Sequence, residues 1–251
     1  MRSFLARPPA GRVFSTGRKV RITEVTPAGR LRLDALARYL QEVAEDDLVD
    51  AGWREPQIWL VRRTAVAVRD FPRLGQQVSL DTFCSATGPR WAERTTTVTG
   101  PGGDLVQATA VWAAVGRSDR RPAVLGPQFH DLYDGAARGR TVSARLVLPR
   151  PPADLAAVPW PLRASDLDPA GHVNNAIHWA AVEDVLAGLD WLPDTAELEY
   201  HRAIEAGTVL RLAVCPARDA VSLWLLDADG QRLASARLAR LDGAPRARLA
   251  A

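Results

Sequence analysis

Two periods of apolar residues run along the chain, and they occur in the same order in both halves. In the first half, a strand is predicted over 13–25 and a helix over 34–51, where apolar side chains recur every three or four residues. Asp34 is the predicted N-cap of this helix, and Gly52 ends it. Further strands are predicted from alternating apolar and polar residues at 59–69, 77–86, 90–99 and 105–116.

The second half repeats this order after a segment of different character. Residues 119–155 are rich in arginine, glycine and proline, and this composition predicts an extended connector. A strand near 159–165 and a helix over 175–189 follow it. The remaining strands are predicted near 196–203, 208–216, 219–226 and 231–241.

The two halves also match in individual residues. The Pro-Ala-Gly sequence at 27–29 aligns with the Pro-Ala-Gly sequence at 169–171, and Gly75 aligns with Gly207. A strand, a turn, one long helix and a set of antiparallel strands therefore occur twice, which indicates a duplicated domain. The predicted divisions are a first copy in 1–130, a linker in 131–155 and a second copy in 156–251.

The composition is that of a globular protein with a sizeable core, because 47% of the 251 residues are hydrophobic and 24% are charged. No apolar run approaches the roughly 20 residues that cross a membrane. The first residues lack the apolar core of a signal peptide, so we expect a cytoplasmic protein. Cys84 and Cys215 are too few for a disulfide framework or a metal cluster, and both are predicted to be buried. No cofactor is expected.

Basic residues outnumber acidic ones by 32 to 29, and many arginines lie in the middle of the chain. This concentration of charge suits an acidic partner. The sequence has no zinc-ligand spacing, helix-turn-helix pattern or set of stacking aromatics, so nucleic acid is not the expected partner. The central arginines are Arg117, Arg120, Arg121, Arg138, Arg140, Arg145 and Arg150.

Polar groups with chemical potential are concentrated in residues 165–175, Ser-Asp-Leu-Asp-Pro-Ala-Gly-His-Val-Asn-Asn, just before the second helix. Pro169 and Gly171 fit the second and fourth positions of a type I turn that starts at Asp168. Such a turn brings the Asp168 carboxylate back towards His172. Within this segment, a carboxylate and an imidazole are therefore predicted to lie close together.

A helix start follows this pair directly. Asn174 and Asn175 suit that position, because short polar side chains accept the first free N–H groups of a helix. The segment thus combines a carboxylate, an imidazole and unpaired N–H donors. Such a site can move a proton and stabilise a negatively charged oxygen.

The first copy keeps the turn but lacks the titratable pair. Thr26 stands in place of Asp168, Arg30 stands in place of His172, and the two asparagines are also absent. The turn survives in both copies, so its role is structural. The pair occurs only in the second copy, which indicates a function.

This arrangement resembles the tandem hot-dog fold, an α+β fold in which each copy wraps an antiparallel sheet around one long helix. Asp-Leu-Asp at 166–168 with His-Val-Asn-Asn at 172–175 resembles the Asp-Leu-Asp-x-Asn-x-His-Val-Asn-Asn signature of plant and bacterial fatty acyl–acyl carrier protein thioesterases. Leu-Glu-Tyr-His-Arg at 198–202 resembles the Leu-Glu-Tyr-Arg-Arg strand of that family. In the first half, Trp112 and Arg-Arg-Pro at 120–122 look like its strand and Arg-Pro exit, so the resemblance covers nearly the whole chain.

Three positions depart from the pattern of the family. Its Asn between the Asp and the His is Ala170 here, its Glu after the Leu-Glu-Tyr strand falls on Ala203, and the neighbouring Cys falls on Ile204. A thiol nucleophile at that place is therefore excluded. Glu205 lies two residues further on, about 7 Å along a strand, and is a weak substitute for the missing Glu.

The resemblance implies a thioesterase that releases free fatty acid from acyl–acyl carrier protein or acyl-CoA in lipid biosynthesis. Asp168 would activate water or attack the carbonyl itself, His172 would orient the water or polarise the carbonyl, and N–H groups near Asn174 would bind the oxyanion. The partner would be the acidic carrier protein or acyl-CoA, without nucleic acid or membrane, and the enzyme a monomer or a homodimer.

By the same resemblance, the acyl chain would lie in the first copy against its helix. Trp53, Trp59 and Trp91 are candidates to close the end of that tunnel, and Asn175 would contact the substrate at the second helix. The predicted substrate-binding residues are Asn175, Leu36, Leu40, Val43 and Trp59.

Two other functions stay open. A hot-dog hydratase or dehydratase also uses Asp and His, but with an Asn-Pro-x-His spacing that this sequence lacks. A non-catalytic protein that binds acyl thioesters would keep the fold and lose turnover, and the missing Asn and Glu favour it.

Overall fold

The computed structural model describes residues 4–241 and shows the predicted duplication. In the first copy, strand β1 (Phe14–Lys19) leads through a short 3-10 helix (Ile22–Glu24) to the long helix α1 (Leu33–Asp50). The predicted strand over 13–25 is therefore too long, because the chain turns into the 3-10 helix after Lys19. The other strands of this copy are β2 (Gln57–Val68), β3 (Gln77–Thr87), β4 (Trp91–Gly100) and β5 (Gly103–Gly116).

The second copy contains the same elements in shorter form. Strand β6 (Ala157–Pro159), a 3-10 helix (Ala164–Asp166) and helix α3 (Asn175–Ala187) correspond to β1, the first 3-10 helix and α1. The strand predicted near 159–165 is misplaced, because β6 ends at Pro159 and the chain enters the 3-10 helix at Ala164. The strands after α3 are β7 (Thr195–Tyr200), β8 (Arg211–Pro216), β9 (Ala220–Leu226) and β10 (Arg232–Ala239).

The ten strands of residues 4–241 form one sheet in the order β1-β3-β4-β5-β2-β7-β10-β9-β8-β6. The order within the first copy is mirrored in the second, as a two-fold relation about the β2–β7 junction requires. The strands at this junction pair antiparallel from Arg63 opposite Glu199 to Ala67 opposite Thr195. The sheet is therefore continuous across the two copies, and their helices meet over it.

Helices α1 and α3 pack against each other and share one hydrophobic core. In α1, Leu36, Leu40 and Val43 are buried because they recur on one face at helical spacing. In α3, four consecutive residues at 176–179 are buried, so the start of this helix is enclosed on several sides. Among the helices in residues 4–241, none combines the length and hydropathy that a membrane crossing requires.

The predicted N-cap of α1 is wrong by two residues. The helix starts at Leu33 with Arg32 as N-cap, and Asp34 lies inside its first turn. The Asp34 carboxylate accepts hydrogen bonds from Arg32 (2.8 Å) and Arg38 (2.7 Å) instead of capping the backbone. These guanidinium groups hold the pKa of Asp34 below its usual value against the opposing effect of burial.

The predicted extended connector contains a third helix, α2 (Pro127–Ala137). Pro127 fits its first turn, where the missing N–H costs no helical hydrogen bond. Phe129, Tyr133 and Ala137 are buried at helical spacing against the first copy. The prediction is therefore wrong over this stretch, because the glycine, arginine and proline content outweighed the apolar period.

Residues 141–155 then run across the second copy as an irregular segment without helix or strand. The N–H groups of Val147 and Leu148 donate to one carboxylate oxygen of Glu199. The indole N–H of Trp224 donates to the Pro149 carbonyl at 2.9 Å. At the start of the segment, Arg140 donates to two backbone carbonyls of the first copy, so this arginine serves the fold and is not free for a partner.

Candidate active site

The turn predicted before α3 is present, and Asp168 organises it. The Gly171 N–H donates to the Asp168 carbonyl at 2.9 Å, and Gly171 has a φ of +79°, which glycine adopts without strain. Asp168 Oδ1 accepts the N–H groups of Ala170 (2.9 Å) and His172 (3.2 Å). The turn thus brings the carboxylate to the backbone N–H of His172, whereas the predicted proximity of the carboxylate to the imidazole stays a prediction. Within residues 4–241, Oδ2 makes no hydrogen bond and is available to water or substrate.

The first copy builds the same turn with a different side chain. The Gly29 N–H donates to the Thr26 carbonyl at 2.8 Å, and the Arg30 N–H donates to Thr26 Oγ1 at 3.3 Å. A hydroxyl therefore does here what one oxygen of Asp168 does in the second copy. The turn explains a hydrogen-bond acceptor at this position, but it does not explain a negative charge or a second oxygen.

Asn174 lies at the start of helix α3, as predicted, and its side chain caps the helix. Its Oδ1 accepts the Ala176 N–H at 2.9 Å. Its carbonyl oxygen faces Nδ1 of His178 at 3.4 Å. Burial lowers the pKa of His178 to about 4, so this imidazole is neutral at pH 7 and serves the packing of the helix.

The next N–H group, that of Asn175, is an unpaired donor at the positive end of the helix dipole. It makes no hydrogen bond within residues 4–241. Its counterpart in the first copy is the N–H of Leu33, which donates to a carboxylate oxygen of Glu183 at 2.5 Å. The Arg30 guanidinium holds the same carboxylate through two hydrogen bonds of 3.0 and 2.6 Å. In the first copy, a negative oxygen therefore sits where a helix N–H and a basic side chain converge.

The second copy leaves the equivalent place open. By the alignment of the two turns, His172 corresponds to Arg30, and Gln41 of α1 corresponds to Glu183 of α3. Gln41 carries no charge, and no side chain of the described chain occupies the Asn175 N–H. A free N–H and an imidazole thus stand where the first copy has a closed ion pair.

Glu205 lies directly opposite His172 in a short antiparallel bridge. Beside this bridge, the Val173 N–H donates to the Ile204 carbonyl at 2.7 Å. Residues directly opposite each other in such a bridge have Cβ atoms roughly 4.5–5.5 Å apart on the same side. The expected displacement of Glu205 along a strand does not apply, because β7 ends at Tyr200. The Cβ atoms of Glu205 and His172 are therefore neighbours, although their side chains form no ion pair within residues 4–241.

A cavity of about 270 Å³ lies in the first copy and reaches the start of α3. Its wall combines one face of α1, the inner side of the sheet and helix α2. Most of this wall is apolar. At the interface between the two copies, Gln41 and Asn175 add polar side chains to it. The lining residues are Gln41, Ala44, Glu45, Leu48, Trp59, Cys84, Ala92, Glu93, Arg94, Trp112, Phe129, Tyr133 and Asn175.

Of the predicted substrate-binding residues, Asn175 and Trp59 line this cavity. Leu40 lines a smaller one of about 20 Å³, which also touches Asn175. Leu36 and Val43 are 1% and 2% exposed and belong to the shared core, so their placement at the wall is corrected. The reason is the angle around α1, because the cavity faces a different stripe of that helix, formed by Gln41, Ala44, Glu45 and Leu48.

The three predicted catalytic residues lie beside this cavity and not in its wall. In the part of the chain that the structure describes, none of Asp168, His172 and Asn174 is among the lining residues. They belong to the turn and helix start that lead directly to Asn175, which does line it. The structure therefore connects the two predicted parts of the site through Asn175.

An aromatic cluster forms one part of the cavity surroundings. Trp53, Trp59, Phe129 and Tyr133 have neighbouring ring centroids 5.1 to 6.4 Å apart. Two of these rings, Phe129 and Tyr133, belong to α2, and their spacing of four residues is the sequence signal for that helix. Trp91 is not part of the cluster, since its indole N–H donates to a carbonyl of the connecting segment at 2.7 Å.

A buried carboxylate fixes the polar part of the wall. Asp47 is 1% exposed and accepts hydrogen bonds from Arg12 (2.7 Å) and Tyr133 (3.0 Å), and it pairs with Arg94 at 2.6 Å. Burial raises the pKa of Tyr133 to about 12, so its hydroxyl stays protonated. Arg94 and Tyr133 both line the cavity, which this network therefore holds in shape. The sequence pattern gave no signal for it.

Cys84 also lines the cavity and is buried, as predicted. Burial raises the pKa of its thiol to about 12, which makes it a neutral wall residue and a poor nucleophile. Cys215 was also predicted to be buried, but it is only partly so, because it lies near the end of β8.

Comparison with known proteins decides the family of this chain. Residues 11–133 match the acyl-ACP thioesterase N-terminal domain, and residues 152–237 match the acyl-ACP thioesterase C-terminal domain. The chain belongs to the acyl-ACP thioesterase family. An uncharacterized protein of Mycobacterium tuberculosis is similar to this family member, with 31% identity over 95% of this chain and 96% of its own length.

Solved structures support the fold of this acyl-ACP thioesterase family member. The 12:0-ACP thioesterase from Umbellularia californica has a TM-score of 0.75 and 22% identity, over 90% of this chain and 96% of its own. An acyl-ACP thioesterase from Bacteroides thetaiotaomicron has a TM-score of 0.74 and 18% identity, over 90% of this chain and 97% of its own. The chain thus has the tandem hot-dog fold, as predicted, and is a thioester hydrolase by family.

Proposed function

We propose that this protein hydrolyses fatty acyl thioesters carried by acyl carrier protein, or by coenzyme A, and releases free fatty acid for lipid metabolism. Family membership supports thioester hydrolysis. The observation that carries the proposal further is the unpaired Asn175 N–H at the point where an apolar cavity meets the segment of Asp168 and His172. A thioester carbonyl bound at this N–H would leave its acyl chain in the cavity.

The first copy supplies an internal model for oxyanion binding. There, the N–H of the first helical residue, Leu33, and the guanidinium of Arg30 hold a carboxylate oxygen of Glu183. The corresponding groups in the second copy are the N–H of Asn175 and the side chain of His172. In this proposal, they hold the carbonyl oxygen of the thioester as it gains negative charge.

Asp168 supplies the base in the proposed reaction. Its Oδ1 is fixed by two backbone N–H groups, which leaves Oδ2 to take a proton from water. The water oxygen bonds to the carbonyl carbon, and the electron pair of the C=O bond moves onto the oxygen held at Asn175. When this intermediate collapses, the C–S bond breaks, and the sulfur leaves as a thiolate that takes up the proton.

The cavity takes the acyl chain in this proposal. Leu48, Trp59 and Phe129 give it apolar contacts, which favour a hydrocarbon chain over water. Leu40 lines the smaller cavity and would contact the same acyl chain there. Leu36 and Val43 support the wall from the core without touching the substrate.

An acyl-thioester-binding protein without turnover is the second candidate function. The observation that favours it is the presence of Ala170 and Ala203 where the family pattern has polar residues. The Oδ1 atom of Asn174 is also occupied as a helix cap, because it accepts the Ala176 N–H, so this oxygen is not free to accept a hydrogen bond from water. The two functions share one binding site and differ only in hydrolysis.

Release of free fatty acid from a panel of acyl–acyl carrier protein thioesters of increasing chain length tests the proposal. The wild type is expected to release acid, and His172→Ala is expected to lower kcat by about 100-fold or more. His130→Ala is the matched control, because His130 is an exposed histidine of α2 that faces Asp134. Its kcat should equal that of the wild type.

Two other results would contradict different parts of the proposal. Binding of the acyl thioester without any release of acid would contradict hydrolysis and favour the binding protein. An unchanged kcat in His172→Ala would keep the thioesterase and remove this histidine from its centre.

A further inference from the structure

Three arginines line one concave surface of the second copy, on the face of the sheet away from the core. A cavity of about 430 Å³ there is lined by Arg150, Arg202, Arg232 and His201. We call it the arginine pocket. Arg62, at a bulge of β2, adds its charge, since it acts electrostatically on His201.

These charges are largely unneutralised. In residues 4–241, the side chains of Arg62, Arg150 and Arg202 form no ion pair. Arg232 donates to the backbone carbonyls of Leu148 (2.9 Å) and Pro149 (3.1 Å), so its positive charge is not cancelled by a carboxylate. The pocket therefore has a positive potential that an anion would neutralise.

The pKa of His201, which lines the pocket, is lowered in part by this positive potential. Burial, followed by the charges of Arg232, Arg62 and Arg150, lowers the pKa of His201 to about 4. Its Nε2 lies 3.1 Å from the Ser235 hydroxyl, so the neutral imidazole has a polar partner. An anion in the pocket would be held by the arginines, with the imidazole as a neutral neighbour.

The carboxylate of Glu199 lies beside the pocket and holds the connecting segment in place. Glu199 is fully buried, and its Oε1 accepts the N–H groups of Val147 and Leu148. Its Oε2 is 3.6 Å from Nε2 of His201. Glu199 thus fastens the segment that carries Arg150.

The pocket lies close to the candidate active site along the chain. Arg202 precedes Glu205 by three residues, about 10 Å of extended backbone, and Glu205 lies opposite His172. Coenzyme A and acyl carrier protein both hold the acyl group on a pantetheine arm that ends in a phosphate. A phosphate bound at Arg202 would therefore lie within the reach of an arm whose thioester is at His172.

We propose that the arginine pocket binds the phosphate of the pantetheine arm and so positions the thioester. This inference rests on the proposed function for its substrate. It adds a binding site in the second copy, separate from the cavity for the acyl chain in the first. Arginine suits this role, because its planar guanidinium group pairs with two phosphate oxygens at once.

The test compares two double variants on three thioesters with the same acyl chain. Arg150→Gln with Arg202→Gln removes two exposed charges of the pocket. Arg145→Gln with Arg218→Gln removes two charges elsewhere and serves as the matched control. The substrates are acyl–acyl carrier protein, acyl-CoA and the phosphate-free S-acyl-N-acetylcysteamine.

The pocket variant is expected to raise KM roughly ten-fold or more for both phosphate-bearing thioesters. Its kcat should stay close to the wild-type value, and its KM for the phosphate-free thioester should not change. An equal rise in KM for all three substrates would overturn the proposal, because the phosphate would then not be what the arginines bind. No rise in any of them would overturn it as well.

A binding experiment separates this inference from the proposed function. If the wild type hydrolyses none of the thioesters, the proposed function fails, and calorimetric titration with coenzyme A itself still tests the pocket. Binding that is lost in the pocket variant and kept in the control supports the site. Titration with inorganic phosphate distinguishes the source, since a pocket that binds phosphate as tightly as coenzyme A would be a site for the free anion and would overturn the assignment to the arm.

Discussion

The two turn–helix junctions of this protein share a backbone and differ in what their side chains do with it. In the first copy, Arg30 and the Leu33 N–H close on the carboxylate of Glu183, and both charged residues are buried, at 5% and 8% exposure. In the second copy, His172 and the Asn175 N–H occupy the same places, and the opposing residue is the neutral Gln41. One junction is a closed ion pair, and the other is open to a cavity.

In this duplicated fold, one junction therefore serves stability, and the equivalent junction is left for function. In both copies, the start of the helix presents an N–H group that can bind a negatively charged oxygen. In the first, the protein fills it permanently with its own carboxylate, which joins α3 to the start of α1. In the second, the proposed function leaves it free for an oxygen that becomes negative only during the reaction.

The largest expected effect on stability comes from opening the closed junction. Glu183→Ala leaves Arg30 buried without its partner, so we expect the free energy of unfolding to fall by about 3–5 kcal/mol. Gln41→Ala at the equivalent place in the open junction should cost about 1 kcal/mol or less, because no charge loses its partner. Urea unfolding of both variants checks this, and equal losses would contradict the contrast between the junctions.

A pH-dependent effect should distinguish the two helices. His178 in α3 corresponds to Leu36 in α1, and burial lowers the pKa of His178 from 6.5 to about 4. The folded protein therefore binds this proton more weakly than the unfolded chain does. Stability is fully present above pH 6.5 and falls as the pH drops towards 4, by on the order of 3 kcal/mol from this residue.

His178→Leu gives α3 the residue that α1 carries and should remove this share of the pH dependence. The pKa of His201 is lowered in the same direction, but His201 is present in both proteins, so the difference between them isolates His178. Unfolding free energies measured across this pH range are the readout. Parallel curves for the wild type and the variant would show that the histidine is not what titrates.

The smallest expected effect concerns the helix caps. Asn174 caps α3 through its side chain, whereas Arg32 at the start of α1 makes no such bond. Asn174→Ala should lower the free energy of unfolding by about 1 kcal/mol and leave kcat within about ten-fold of the wild type. A much larger fall in kcat, with the same small loss of stability, would show that Asn174 contacts the reacting atoms and does more than cap the helix.

Local rules explain what could be predicted from the sequence. The turn at Asp168, the helix start at Asn174 and the duplication all depend on neighbouring residues or on a repeated order, so they can be recognised without the fold. The roles of Glu183 and Gln41 could not be predicted in this way, because each residue reaches its junction only through the packing of α1 against α3. Glu183 is about 150 residues from the first turn, and Gln41 is about 130 residues from the second. No local sequence pattern can therefore connect either residue with the turn that it faces.

Other differences have equally specific causes. Helix α2 was missed because the composition around it is typical of a linker, although Phe129 and Tyr133 carry the period of a helix. Leu36 and Val43 were placed at the cavity because they are apolar residues of α1, but an apolar face identifies burial and not the neighbour that covers it. Glu205 was misplaced because β7 ends earlier than its apolar pattern suggests.

In the proposed function, Asp168 brings chemistry to a turn that its counterpart, Thr26, only stabilises. The most direct test of this role is the hydrolysis of one acyl–acyl carrier protein by Asp168→Asn beside Thr26→Val. The asparagine oxygen still accepts the turn N–H groups, so the first variant should fold normally while kcat falls by roughly 100- to 10,000-fold. The second should lose about 1 kcal/mol of stability and keep its kcat. A kcat in Asp168→Asn equal to that of the wild type would contradict the account and make both turns purely structural.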